Sequence, residues 1–353
     1  MTLARPWGKL QASMGCGIVA LDRLWMDDTA PCVAPSDRES VAAVQALLIG
    51  HGYNRLPTVL ARDCGVYGPQ TIGALQQFQT DQGLASTGNV DAKTLRALAT
   101  VPAQSPVMST VYAAFVLEIA STGLLRPATI TMQLEGGGHF TAANWNTDRC
   151  GLSFGLIQWA QRPGRLHELL AAFERTDTGR FTRVFGDGDA LLAQGLLAHT
   201  GGANGGVDRV TGQTKDGRYD LIAEPWRSRF LAAGRDSVFQ RAQVTAALAA
   251  FDVSAQRIRQ TMPIVASERG LAFMLDVANQ FGDAGAKSVA AAAMNKLKSG
   301  MTESDFIAAV GRETVARVAK QYGAASPEAR STSNRREIMR TTPWLADVPA
   351  TFA

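Results

Sequence analysis

Apolar residues spaced three and four apart recur along most of this chain, and strict alternation appears in one stretch only, residues 152–159. The helical spacing, much of it Ala-rich, marks 111–120, 128–135, 165–175, 189–199, 237–251, 254–260, 267–281, 286–298, 303–309 and 312–322. A chain patterned this way has to bury helix stripes against one another, so the fold class is mainly α with a small β element. At 353 residues, with 46% hydrophobic and 19% charged content, it is long enough for two soluble domains.

Punctuation sets the boundaries. Residues 1–38 hold Trp7, Trp25, Pro31 and Pro35 without a clean period and read as an irregular lead-in. From Ser40 a helical face of Val41, Val44, Leu47 and Leu48 runs to Gly50-His51-Gly52-Tyr53. A second unit opens at Gly68-Pro69, carries Ile72, Leu75 and Phe78, and stops at Gly83; a third follows Asp91, a natural N-cap, and carries Leu95 and Leu98. These three short helices make a module over 39–100. The Pro-rich connector 101–107 separates it from a larger helical domain over 108–323, and 324–353 form a C-terminal extension. The arginines at 330, 335, 336 and 340 read as a solvated tail segment.

Several classes are set aside by chemistry. Lys+Arg 35 against Asp+Glu 31 gives a net charge of +4, and no nucleic-acid-binding pattern accompanies it, so no nucleic acid partner is expected. Four histidines, none at ligand spacing, argue against a metal centre, and no cofactor motif is present. The four cysteines are too scattered for a disulfide scaffold, with a Cys16–Cys32 bridge left open. Cys150 as a nucleophile would need an oriented histidine, and His139, His167 and His199 lack a recognisable signature. The apolar run from Met14 to Leu21 is short and no small-residue cleavage site follows, so no signal peptide is read, and no window suits stable membrane insertion.

The residues of the first module resemble the type 1 peptidoglycan-binding domain of wall hydrolases. The matching elements are Val44-Gln45-xx-Leu48, Gly52-Tyr53, Gly65-Val66-Tyr67-Gly68-Pro69-xx-Thr71, Ala74-Leu75-xx-Phe78-Gln79, Leu84, Thr87-Gly88-xx-Asp91 and Thr94-xx-Leu98. Cys64-Gly65 stands where the family has Asp-Gly, with Asp63 one place earlier. The resemblance implies peptidoglycan as a partner, with Tyr53, Tyr67 and Gln79 as binding residues.

Glu135 is the other informative residue. The helical run 128–134 after Pro127 meets Gly136, Gly137 and Gly138, which stop a helix at once and leave Glu135 at its C-terminus. The negative end of the macrodipole works against an ionised carboxylate there, as a proton donor requires. Glu135 followed by Gly151-Leu152-Ser153-Phe154-Gly155-Leu156-Ile157-Gln158 is similar to the lysozyme-like superfamily of muramidases and lytic transglycosylases. Asp148-Arg149-Cys150-Gly151 and Val238-Phe239-Gln240-Arg241-Ala242-Gln243 also resemble its chitosanase branch, whose second carboxylate lies where Asp148 stands.

This second resemblance covers roughly 110–320. It implies Glu135 as general acid, Asp148 as a second carboxylate, and His139, Ser153, Phe154 and Gln158 as substrate contacts. Asp148 also fits a turn residue bonding its own backbone. Alternation puts Ser153, Gly155 and Ile157 on one face, with Leu152, Phe154, Leu156 and Gln158 on the other. Together the resemblances imply a modular phage endolysin that cleaves between N-acetylmuramic acid and N-acetylglucosamine. A chitosanase-like hydrolase and a non-catalytic wall-binding or virion structural protein are the alternatives. An endolysin would be a monomer accumulating in the host cytoplasm and reaching the wall through a separate membrane-permeabilising protein.

Overall fold

The computed structural model describes residues 35–36, 38–53, 55–56, 63–99, 124–137, 139–214, 216–296, 300–342, 345 and 347. Almost all of the expected lead-in, the connector 101–107, the helix 111–120 and the Cys16–Cys32 pair lie outside the described residues. The described residues are mainly helical, with one three-stranded sheet. No helix among them is long and apolar enough to cross a membrane.

The N-terminal module is built from α1 (Arg38–Gly50), α2 (Pro69–Asp81) and α3 (Ala92–Ala99), with α1 packed on both others. Val41, Val44, Leu47, Leu48, Leu75, Phe78, Leu95 and Leu98 are buried, which is the face the periodicity marks. Pro69 occupies the first turn of α2, where its missing N–H costs nothing. Asp91 caps α3 by accepting the Thr94 amide at 2.7 Å. Two buried glutamines tie the turns to the helices. Gln45 donates to Val66 O and Thr71 Oγ1 and accepts from Gly65 N at 2.8 Å. Gln79 donates to Asn89 O at 2.7 Å and Thr94 Oγ1 at 3.0 Å and accepts from Gly88 N at 2.8 Å.

Residue contacts divide the chain into two compact units, the first including 135–247 and the second the described parts of 121–134 and 248–353. Helix α4 (Leu125–Gly136) leads into strands β1 (Ala143–Trp145), β2 (Leu152–Phe154) and β3 (Trp159–Ala160), antiparallel in the order β1-β2-β3. Helices α5 (Arg165–Thr176), α6 (Thr178–Gly186), α7 (Ala190–Gly201), α8 (Trp226–Ala233) and α9 (Ser237–Thr261) follow. Phe154 of β2 is fully buried and sits 5.2 Å from Phe230 of α8, ring centre to ring centre. Phe173, Phe181, Phe185 and Phe239 extend this aromatic core through α5, α6 and α9, with neighbouring ring centres 4.9–5.8 Å apart. Strands this short are not stable alone, so this anchor fixes where the sheet lies.

The second unit contains α10 (Glu268–Met294), α11 (Glu303–Tyr322) and α12 (Pro327–Thr341). Here the structure corrects the reading of a solvated arginine segment for two of its four members, since Arg330 and Arg340 are exposed but Arg335 and Arg336 are not. Arg335 and Arg336 are 8% and 3% exposed and both pair with Asp276, which is fully buried. Arg335 binds the carboxylate in a fork, at 2.8 and 2.6 Å, while Arg336 also donates to Thr314 Oγ1 at 3.2 Å. Burial opposes the Asp276 charge most strongly, but the two guanidiniums together hold its carboxyl below the ordinary range.

Candidate active site

Glu135 lies half-buried in the last turn of α4. The helix ends where the sequence requires: Gly137 has φ +64°, and a Cβ there would meet the His139 ring at 2.9 Å. His139, also half-buried, sits in the turn that follows, and its carbonyl accepts the Ala142 amide at 3.3 Å. The Ala142 carbonyl accepts in turn from Gly155 N at 2.8 Å and Gln158 Nε2 at 3.2 Å. The segment after Glu135 is thereby bonded directly to the sheet.

The expected single strand over 152–159 is instead a tight hairpin. Phe154 pairs with Trp159, and residues 155–158 turn the chain with Gly155 at φ +79° and Gln158 at φ +53°. Alternation therefore ends at Phe154. Gln158 lies on no strand face; its amide donates to Gly155 O at 3.0 Å as well as to Ala142 O, so it closes the turn. Ser153 is 3% exposed and Phe154 not at all, so neither offers a substrate any surface. The candidate floor made of these residues is internal support.

Two buried glutamines hold this support in place. Gln243 of α9 accepts from Leu156 N at 3.1 Å and donates to Phe140 O at 3.0 Å, bridging the hairpin turn and the segment after Glu135. Gln161 accepts from Leu152 N at 3.1 Å and donates to Gly205 O at 2.9 Å. The resemblance to Phe-Gln-x-Ala-Gln includes Gln243 but gives it no role, and sequence reasoning misses Gln161 altogether. One signal exists for Gln243: it falls four residues after Phe239 and four before Ala247, a polar side chain on a buried stripe.

Asp148 is exposed in the loop between β1 and β2, and its Oδ1 accepts the Cys150 amide at 3.1 Å, the turn bonding considered for it. Asn146 accepts from Gly151 N at 2.9 Å and donates to Thr211 O at 3.0 Å. This second bond ties the loop to the Gly-rich segment after α7, which is ordered by a bridge between Val207 and Thr214. Close approach there depends on Gly205, where a Cβ would fall 1.9 Å from Gln161 O. Arg162 crosses the same junction, donating to Arg149 O at 3.0 Å and Arg209 O at 2.8 Å. Cys150, Arg162, Pro163, Asn204 and Arg209 line an open hollow. Burial foremost, then Asp148, pushes the Cys150 thiol up, with Arg162 opposing. Among the described residues no group of three or more His, Cys, Asp or Glu could hold a metal ion.

In the module, Tyr53 and Tyr67 are half-buried, with hydroxyls donating to Asp81 and to Gly88 O. Gln79 is 0% exposed and spends its amide on the α2–α3 turn, so it is a fold residue rather than a ligand contact.

Residues 37–98 match the family model described as "Putative peptidoglycan binding domain". No curated protein matches the chain. The chain carries a peptidoglycan-binding domain at 37–98, and peptidoglycan is a partner of that domain.

Proposed function

We propose that the protein is a peptidoglycan-degrading glycosidase of the endolysin type, cleaving the bond between N-acetylmuramic acid and N-acetylglucosamine with Glu135 as its acid. The observation that carries this reading is the pairing, in one chain, of a peptidoglycan-binding domain with a helix-terminal carboxylate whose following turn is bonded to a small sheet. The binding domain would keep the cutting chemistry concentrated on its polymer.

In this mechanism Glu135 gives its proton to the leaving glycosidic oxygen as positive charge grows at the anomeric carbon. The resulting carboxylate then takes a proton from the attacking oxygen. That oxygen belongs either to water, leaving a reducing end, or to the sugar's own C6 hydroxyl, closing an anhydro ring. Asp148, exposed in the loop between β1 and β2, would add negative potential rather than replace Glu135. Purified Glu135→Gln protein is expected to lose wall-clearing activity by at least about 100-fold. Clearing at the wild-type rate would show that the assignment of catalysis to Glu135 is wrong. Mass spectrometry of released fragments distinguishes anhydro from reducing ends.

A further inference from the structure

The run Val238-Phe239-Gln240-Arg241-Ala242-Gln243 in α9 carries two glutamines on its buried side. Gln240 is 4% exposed and Gln243 not at all, while Arg241 between them is exposed. Three residues apart, the two amides share one helix face. A buried amide has to be bonded, and each of these spends its donor on a carbonyl of another segment. Gln240 Nε2 donates to Gly234 O at 2.9 Å, and Gln243 Nε2 donates to Phe140 O at 3.0 Å. The two held residues abut: a Cβ at Gly234 would fall 2.7 Å from Phe140 O and 2.6 Å from the Thr141 methyl. Gly234, just past α8, is therefore pressed against the Phe140 backbone with room for no side chain. Gln243 Oε1 takes Leu156 N on its other side, where a Cβ at Gly155 would lie 2.3 Å from that oxygen. Phe239, one turn earlier, stacks on Phe154 of β2 with ring centres 6.3 Å apart, so α9 grips the sheet as well.

The chain gripped in this way is the one that has just left Glu135. Gly136, Gly137, Gly138 and His139 separate Glu135 from Phe140. Glycines do little to fix their own path, so the direction of this segment is set by anchors beyond them. Those anchors are Phe140 O, held by Gln243 with Gly234 behind it, and Ala142 O, held by Gly155 N and Gln158. A proton donor misplaced by about 1 Å loses on the order of 100-fold in rate. We infer that Gln243 is a positioning residue for glycosidic cleavage, with Gln240 and Gly234 as its backing. It touches no substrate and acts by holding Phe140 O, and through it the turn that follows Glu135. The inference rests on the reading of Glu135 as the acid.

Gln243→Met keeps the length and apolar body of the side chain and removes both bonds. On solubilised peptidoglycan its kcat is expected to fall by about 10- to 100-fold with KM within about twofold of wild type, the pattern of a displaced reacting group rather than of lost binding. Gln243→Glu is the rescue. Its buried carboxyl stays protonated at about pH 5 and offers a carbonyl acceptor with a hydroxyl donor, so kcat at that pH should return to within about threefold of wild type. Where Gln243→Met does not fold, Gln240→Met carries the test through the backing alone, with kcat expected to fall by about three- to tenfold at unchanged KM. A wild-type kcat in the folded variant, a loss confined to KM, or no recovery in Gln243→Glu overturns the inference. Amide exchange over residues 139–142, followed by mass spectrometry, needs no turnover and is expected to quicken in Gln243→Met; unchanged exchange overturns the inference as well. Faster exchange beside a fully active Glu135→Gln refutes the catalytic reading alone. An inactive Glu135→Gln beside a fully active Gln243→Met refutes the positioning role alone.

Discussion

The side-chain oxygen of Gln243 accepts the Leu156 amide at 3.1 Å across 87 residues of chain. The same side chain donates to Phe140 O, so one amide satisfies two buried backbone groups on either side of the β1 strand. Replacing Gln243 with Leu leaves both unpaired, at about 1–3 kcal/mol each. Urea denaturation is expected to show a loss of about 2–6 kcal/mol. A loss below about 1 kcal/mol would mean the turn is held by other contacts.

Asp276 makes a different, pH-dependent contribution. Its folded-state carboxyl titrates below the ordinary value of 3.8. The unfolded chain therefore binds the proton more readily, and the stabilisation is complete above that value and lost as pH falls through the folded one. Stability measured from pH 5 downward should decline with an Asp276 component that is missing in Asp276→Asn. The variant should itself lose about 3–5 kcal/mol at pH 7, because two buried guanidiniums lose their charge partner.

His51 gives the binding domain its own pH response nearer neutrality. Its Nε2 lies 3.0 Å from Leu98 O and its ring 4.9 Å from Phe78, and burial pulls the imidazole below 6.5 while the Leu98 carbonyl opposes that. The unfolded state takes the proton first, so the domain loses stability as pH drops below about 6.5 toward the folded value. NMR titration of the His51 ring should give a midpoint below that of a histidine in a short peptide. A midpoint at or above it would contradict the burial.

Two glycines in the left-handed region should respond unequally to alanine. A Cβ added at Gly83, where φ is +66°, would have no heavy atom within 4 Å, so only backbone strain of about 1–2 kcal/mol applies. Gly205 shares that φ but would place a Cβ 1.9 Å from the Gln161 carbonyl oxygen. Thermal unfolding of Gly205→Ala should reveal a loss greater than about 3 kcal/mol, or a displaced loop. Equal losses at the two sites would refute the close approach.

Sequence signals are legible where local chemistry decides. The module's three helices, the Asp91 cap and the glycine stop after Glu135 each depend on neighbouring residues. They mislead where distant packing decides. Helical segments expected at 303–309 and 312–322 are one helix, because Gly311 is a packing point rather than a break: a Cβ there would lie 3.5 Å from Phe273. The 237–251 and 254–260 segments also join as α9. Helix α6 escapes the sequence reading because it is only nine residues long, although Phe181, Val184 and Phe185 fall at helical spacing. The arginines of α12 give no sign of burial because their partner, Asp276, lies 59 residues away for Arg335. At the candidate site the position of Glu135 is legible, but the hairpin turn at Gly155–Gln158 and its glutamine supports are not, since a hydrogen bond between remote segments leaves no period in the sequence.

The Gln243 bridge also sets an order of events for a chain made from its N-terminus. Phe140 and its glutamine partner are 103 residues apart, so the turn beyond Glu135 is synthesised long before the side chain that holds it. Until α9 has left the ribosome, the short strands have no lasting template. Amide-exchange protection at Leu156 should therefore be absent in nascent chains ending before Gln243 and appear in longer ones. Early protection would show that the hairpin stands without its helix. On this schedule the candidate catalytic turn is among the last parts of its unit to take shape, which would keep the proposed wall-cutting centre unformed while the chain is still being made.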